Sequence, residues 1–200
     1  LSEHNKDFLD NRSFGNSNNT ILYSIAEMNA YQNNGIACVL KHFPGNTNTD
    51  PHTGLPEITL VKEELDESLV PFGRVVSLGP KGVLMSHART AVLDSEIPAC
   101  FSYSWVTEKL RKDMGFDGII FSDDIFMSAL AQNGYPQEIA CVRAVEAGVD
   151  CIMISEKRFL KPALTLIEKA ENDSDFAKRI EESCRRILKY KIENGLLLIQ

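Results

Sequence analysis

The stretch "GIIFSDD", residues 118–124, sets a short β-branched run against a serine and two carboxylates, and no helical period fits it. Read as a buried strand, it brings Asp123 and Asp124 to the strand's C-terminal end. Three other runs repeat the pattern: "IACVLKHF" (36–43), "GVLMSH" (82–87) and "CIMIS" (151–155). A segment of helical period follows each of them. A first helix is expected after "NSNNT" (16–20), capped by Asn19 or Thr20, with Ile21, Ile25 and Met28 on one face and Gly35 past its end. Leu65 and Leu69 mark a second, and Trp105, Val106, Leu110 and Met114 the inner stripe of a third that Gly115 closes. Pro136 opens a fourth that stops at Gly148. Two helices finish the chain, the last from about Ser174 to Asn194 with Phe176, Ile180, Cys184 and Ile187 turned inward.

Apolar strands alternating with helices imply an α/β fold with a parallel sheet, because parallel crossovers lay the helices over its faces. A doubly wound sheet and part of a (β/α)8 barrel both fit. A complete barrel needs roughly 250 residues, and four strands are too few to close one. In either architecture ligands bind at the strands' C-terminal edge. "KHFPG" (41–45), "SHART" (86–90) and "SDD" (122–124) all fall there, so His42, His87, Asp123 and Asp124 share one rim. The loop after the first strand hangs from the same rim and carries Asp50 and His52 beside Lys41.

Composition narrows the function. The 200 residues are 44% hydrophobic and 24% charged, as in an ordinary globular domain. A net charge of -7 with scattered lysines argues against a nucleic-acid surface. No apolar run reaches the about 18 residues of a membrane span, and no leader pattern opens the sequence. Five cysteines without CxxC spacing, two of them in apolar runs, read as reduced thiols, which points to the cytoplasm; an exported lipoprotein would need an upstream leader.

The rim suits acid–base chemistry. Asp50, two residues from His52, can hold that imidazole in one tautomer and stabilise its charged form. A carboxylate on a rigid strand end, as at Asp123, can attack an electrophilic carbon. Asp124 is expected to be structural, and His87 to pack beneath the site or hydrogen-bond a neighbouring loop. A metal-dependent hydrolase would instead gather His42, His52, His87 and Asp123 around zinc.

"KHFPG", then D-x-H at 50–52 and "LP", then "GFDGIIFSDDIFM" (115–127), closely resemble the bacterial β-N-acetylglucosaminidases of glycoside hydrolase family 3 that trim cell-wall muropeptides. "NRSFG" (11–15), "MSHA" (85–88), "EAGVDCIMIS" (146–155) and "RIEESCRRIL" (179–188) add to the match in the same order. The resemblance implies a (β/α)8-like barrel domain over residues 1–200, truncated at its N-terminus and lacking its first strands. It implies Asp123 as nucleophile, His52 as acid/base paired with Asp50, and Arg12, Lys41 and His42 as sugar contacts, with no metal or organic cofactor. The implied substrate is an N-acetylglucosamine-containing glycan or muropeptide, cleaved with retention through a covalent glycosyl-aspartate. A non-catalytic sugar-binding remnant and a phosphorylase are the alternatives. The pattern is altered where Asn46 and Thr47 replace the usual histidine and glycine, where Pro51 replaces serine, and where the loop is shorter. A half barrel also exposes strand edges, so self-association or pairing with the missing barrel segment is expected.

Overall fold

The computed structural model describes residues 13–47 and 54–197. Helix α1 (Ser17–Gln32) is capped by Asn16, whose side chain accepts the Asn19 N–H at 2.9 Å. Asn19 is thus the residue being capped, not the cap. Strand β1 (Val39–Phe43) starts later than its apolar run, and Val39 and Ile36 are 42% and 54% exposed. The expected buried strand is a half-exposed edge, because among the described residues β1 pairs on one side only.

The chain continues through β2 (Glu57–Ile58), α2 (Lys62–Val76), β3 (Gly82–Met85), β4 (Arg89–Thr90), a 3-10 turn (Ala99–Phe101) and a π-helix (Ser104–Asp113). Then come β5 (Ile119–Asp124), α3 (Ser128–Gln132), α4 (Gln137–Ala147), β6 (Cys151–Met153), α5 (Leu160–Asn172) and α6 (Ser174–Glu193). Four strands form one parallel sheet in the order β1-β3-β5-β6, and β2 and β4 form a small parallel pair. With a helix after each main strand, the sheet is an arc of a (β/α)8 barrel. Sequence order and spatial order coincide along it, as barrel winding requires.

Packing explains the arc. β3 is buried at every position, and its Val83 lies between Leu40 of β1 and Ile120 of β5. Phe43 meets Phe72 of α2 and Trp105 of the π-helix edge-on, at 5.2 and 5.8 Å between ring centres. The indole N–H of Trp105 donates to Thr90 Oγ1 at 3.0 Å, so this large side chain is buried without an orphaned donor. The expected third helix is wound with a wider turn, its end marked by Met114 N–H donating to Lys109 O five residues back. Cys184, expected inward, is exposed on α6, whose buried face is carried by Phe176 and Ser183.

The N-terminal end of the sheet is locked by Asp150, just before β6. Its side chain is fully buried and accepts from Ile120 N–H (3.0 Å), Arg179 (3.0 Å), Ser183 (2.9 Å), Arg186 (2.5 Å) and Arg111. Burial pulls the Arg111 guanidinium down to about 10 against the opposing attraction of Asp150. One carboxylate thereby ties β5, β6, the π-helix and α6 together.

Along the outer edge of β1 lies a cavity of about 510 Å³ between α1 and α2, lined by Phe14, Met28, Ile36 and Phe72 and reaching Lys41 and His42. Among the described residues, no helix is long and apolar enough to cross a membrane.

Candidate active site

The rim at the strands' C-terminal end is built around the last two residues of β5. Alternation along a strand sends Asp123 and Asp124 to opposite faces, so neighbouring carboxylates acquire different surroundings. Asp123 Oδ1 accepts the Asp124 N–H at 2.8 Å, while Oδ2 lies 3.9 Å from Nε2 of His42. His42 reaches it because the β1–β3 register shifts between Lys41 and Phe43, making His42 the extra residue of a bulge. Both side chains are mostly buried, at 16% exposure for His42 and 12% for Asp123, so solvent screens the pair weakly.

Asp124 is engaged differently. Its Oδ1 accepts the N–H groups of Phe126 (3.1 Å) and Ser155 (3.2 Å), closing the turn after β5 and tying it to the segment beyond β6. Its backbone carbonyl accepts from Nε2 of His87 at 3.0 Å. His87 is 1% exposed, and its Nδ1 lies 3.1 Å from the buried thiol of Cys100. Desolvation lowers the His87 pKa, opposed by the nearby charge of Asp123. Burial pushes the Cys100 thiol well above its usual value.

The structure thus brings His42 to Asp123, and leaves Lys41 exposed on β1, where it borders the cavity at that edge. Arg12, Asp50 and His52 lie outside the described residues. Two participants gave no sequence signal: Cys100, which the 3-10 turn carries under His87, and the backbone N–H of Ser155. Among the described residues, no three histidine, cysteine, aspartate or glutamate side chains converge to hold a metal ion. What the rim offers is a carboxylate with one oxygen held by a backbone N–H and a histidine beside the other.

The profile of the Glycosyl hydrolase family 3 N terminal domain matches residues 2–190. The chain belongs to glycoside hydrolase family 3. A curated relative, the Beta-hexosaminidase of Nitrosospira multiformis, is 37% identical over 131 residues, covering 64% of this chain and 37% of the relative. Beta-hexosaminidase A of Pseudoalteromonas piscicida is 27% identical over 214 residues, covering 95% of this chain and 36% of its own length. Among solved structures, the family 3 β-N-acetylglucosaminidase of Paenibacillus sp. str. FPU-7 superposes with a TM-score of 0.88 at 27% identity, over 100% of this chain and 39% of that one. The β-N-acetylglucosaminidase of Thermotoga maritima gives 0.82 at 30% identity, over 91% of this chain and 41% of that one. The chain spans about two-fifths of the length of these proteins, and its arc of sheet superposes on part of the two solved structures.

Proposed function

We propose that this chain supplies the nucleophile-bearing part of a retaining β-N-acetylglucosaminidase site that removes terminal N-acetylglucosamine from peptidoglycan fragments. The observation that carries the reading is Asp123: a mostly buried carboxylate at the C-terminal end of a central strand, anchored through Oδ1 and facing His42 through Oδ2. Anchoring one oxygen leaves the other to attack along a fixed line, which converts part of the barrier into preorganisation.

In the proposed reaction Asp123 Oδ2 bonds to the anomeric carbon as the glycosidic C–O bond breaks and His52, protonated, gives its proton to the departing oxygen. Water then attacks the glycosyl-aspartate, losing its proton to His52 and restoring the Asp123 carboxylate with net retention. Asp50 orients His52. Arg12, Lys41 and His42 contact the sugar; Arg12 and Lys41 donate to its hydroxyls, and donors that tighten as the ring flattens lower the barrier as well as bind. Relatives named as hexosaminidases support the substrate class.

The test is release of nitrophenol from 4-nitrophenyl β-N-acetylglucosaminide by the chain and by Asp123→Asn. Turnover is expected, with a loss on the order of 10³-fold or more in the variant, as for removal of a nucleophile elsewhere. Equal rates would remove Asp123 from the chemistry. Folded protein that binds N-acetylglucosamine without turnover would replace the reading with a binding role.

A further inference from the structure

His87 and Cys100 form a buried pair for which the proposed chemistry has no use, yet they contact the segment that carries it. The Asp124 carbonyl can only accept, so the His87 Nε2 at 3.0 Å must carry the ring hydrogen. A neutral imidazole then presents Nδ1 as an acceptor, and the Cys100 thiol at 3.1 Å is the donor that satisfies it. Both side chains are almost wholly buried, so water does not compete for either bond.

We propose that His87, locked by Cys100 as the neutral Nε2–H tautomer, is a positioning residue that aims Asp123. Asp124 is the piece it grips. From just beyond β3, His87 holds its carbonyl; from beyond β6, the Ser155 N–H holds its carboxylate; and its own N–H holds Asp123 Oδ1. Residue 124 is therefore clamped by the segments that follow both neighbouring strands, and its fixed N–H sets the rotamer of the side chain before it. A thiol suits the far end of the relay because it donates one hydrogen, stays protonated when buried, and forces the histidine hydrogen to the side where the carbonyl waits.

The inference rests on the reading of Asp123 as nucleophile, but its first test does not. In protein labelled with ¹⁵N in the imidazole rings, His87 is expected to show a protonated Nε2 and a bare Nδ1 at neutral pH. Cys100→Ala should move the Nδ1 resonance to higher frequency, and Cys100→Ser should largely keep it. The Asp124 carbonyl ¹³C shift should change in His87→Ala and return in His87→Gln, whose amide can still donate. With the nitrophenyl glycoside, His87→Ala should lower kcat by up to about 100-fold with KM nearly unchanged, as for an ångström-scale misplacement, and His87→Gln should recover much of it. A protonated Nδ1, an imidazolium, or a Nδ1 shift indifferent to Cys100→Ala would overturn the proposal. So would a Gln variant no better than the Ala variant in both readouts. If the parent turns nothing over, the function falls while the tautomer and carbonyl shifts still decide the clamp.

Discussion

Two aspartates of this protein are both buried, with side chains 12% exposed at Asp123 and 0% at Asp150, and sit at opposite ends of the same sheet. Asp150 is saturated: its carboxylate accepts from a backbone N–H, a hydroxyl and three guanidinium groups. Asp123, among the described residues, accepts one backbone N–H and has the His42 imidazole 3.9 Å from its other oxygen. Low exposure alone does not separate a structural carboxylate from the proposed nucleophile. The number of donors aimed at it does, since every lone pair used in a cross-link is lost to chemistry.

The same substitution at both positions is the strongest way to break that comparison. Asp150→Asn removes the charge that compensates Arg111, Arg179 and Arg186, and turns an NH₂ toward their donors. Breaking a buried ion pair from one side costs about 3–5 kcal/mol, so the variant should unfold far earlier in denaturant or fail to accumulate. An unchanged midpoint would show that the arginines rearrange around solvent and that Asp150 is not the lock.

A second probe touches the same end of the molecule. Gly148 ends α4 with φ +117°, and an added Cβ would stand 2.4 Å from Thr107 Oγ1 on the π-helix. Its carbonyl also accepts from Arg179, so a shift there would reach Asp150. Gly148→Ala is expected to cost roughly 1–3 kcal/mol, read as a drop in thermal midpoint. Adding Thr107→Ala should return the share due to contact and leave the share due to backbone conformation. A single variant as stable as the parent would mean that the loop gives way freely.

These two ends differ in how much of them the sequence revealed. β3 and β5 were legible because an apolar run ending in polar residues is local, and so was Asp123, which sits at the end of one. Gly148 was legible as a helix stop for the same reason. Asp150 was not, because the three arginines that define it lie 29 to 39 residues away and converge only through the fold. His87 and Cys100 are 13 residues apart, and the turn that joins them leaves no periodicity. β1 was only half legible, since an apolar run cannot say whether its strand has one neighbour or two. Over ten residues, a spacing of four or five separates an α-helix from a π-helix too weakly to decide. The strands β2 and β4, two residues each, are too short to carry a pattern at all.

The rim should also announce itself in acid. His87 is buried as the neutral form, with desolvation lowering its pKa, and the ionisable groups facing it are Asp123, Asp124 and Cys100. The unfolded chain, with a histidine near 6.5, binds the proton first, so stability rises with pH between the depressed folded value and about 6.5 and is flat for this group above that. Within the window one such histidine contributes about 1.4 kcal/mol per pH unit. Other groups titrate nearby, so the quantity to measure is the difference in unfolding free energy between parent and His87→Gln from pH 4 to 8. A difference that does not vary across that range would place His87 in contact with water and weaken the clamp.

The smallest expected effect sharpens the comparison most. Asp123→Asn keeps an oxygen to accept the Asp124 N–H and surrenders only the charge that faces His42. Active sites hold groups in arrangements that stability alone would not choose, so replacing one with a neutral isostere changes stability little or raises it. We expect the unfolding free energy of Asp123→Asn to stay within about 1 kcal/mol of the parent, against a loss several times larger for Asp150→Asn. Paired denaturation curves read both in one experiment. If Asp123→Asn proved as damaging as Asp150→Asn, its carboxylate would be a cross-link like the other, and the under-coordination from which its role is inferred would be filled by partners outside the described residues. If it proved neutral while turnover collapsed, the same buried carboxylate would have been shown to carry chemistry without carrying the fold.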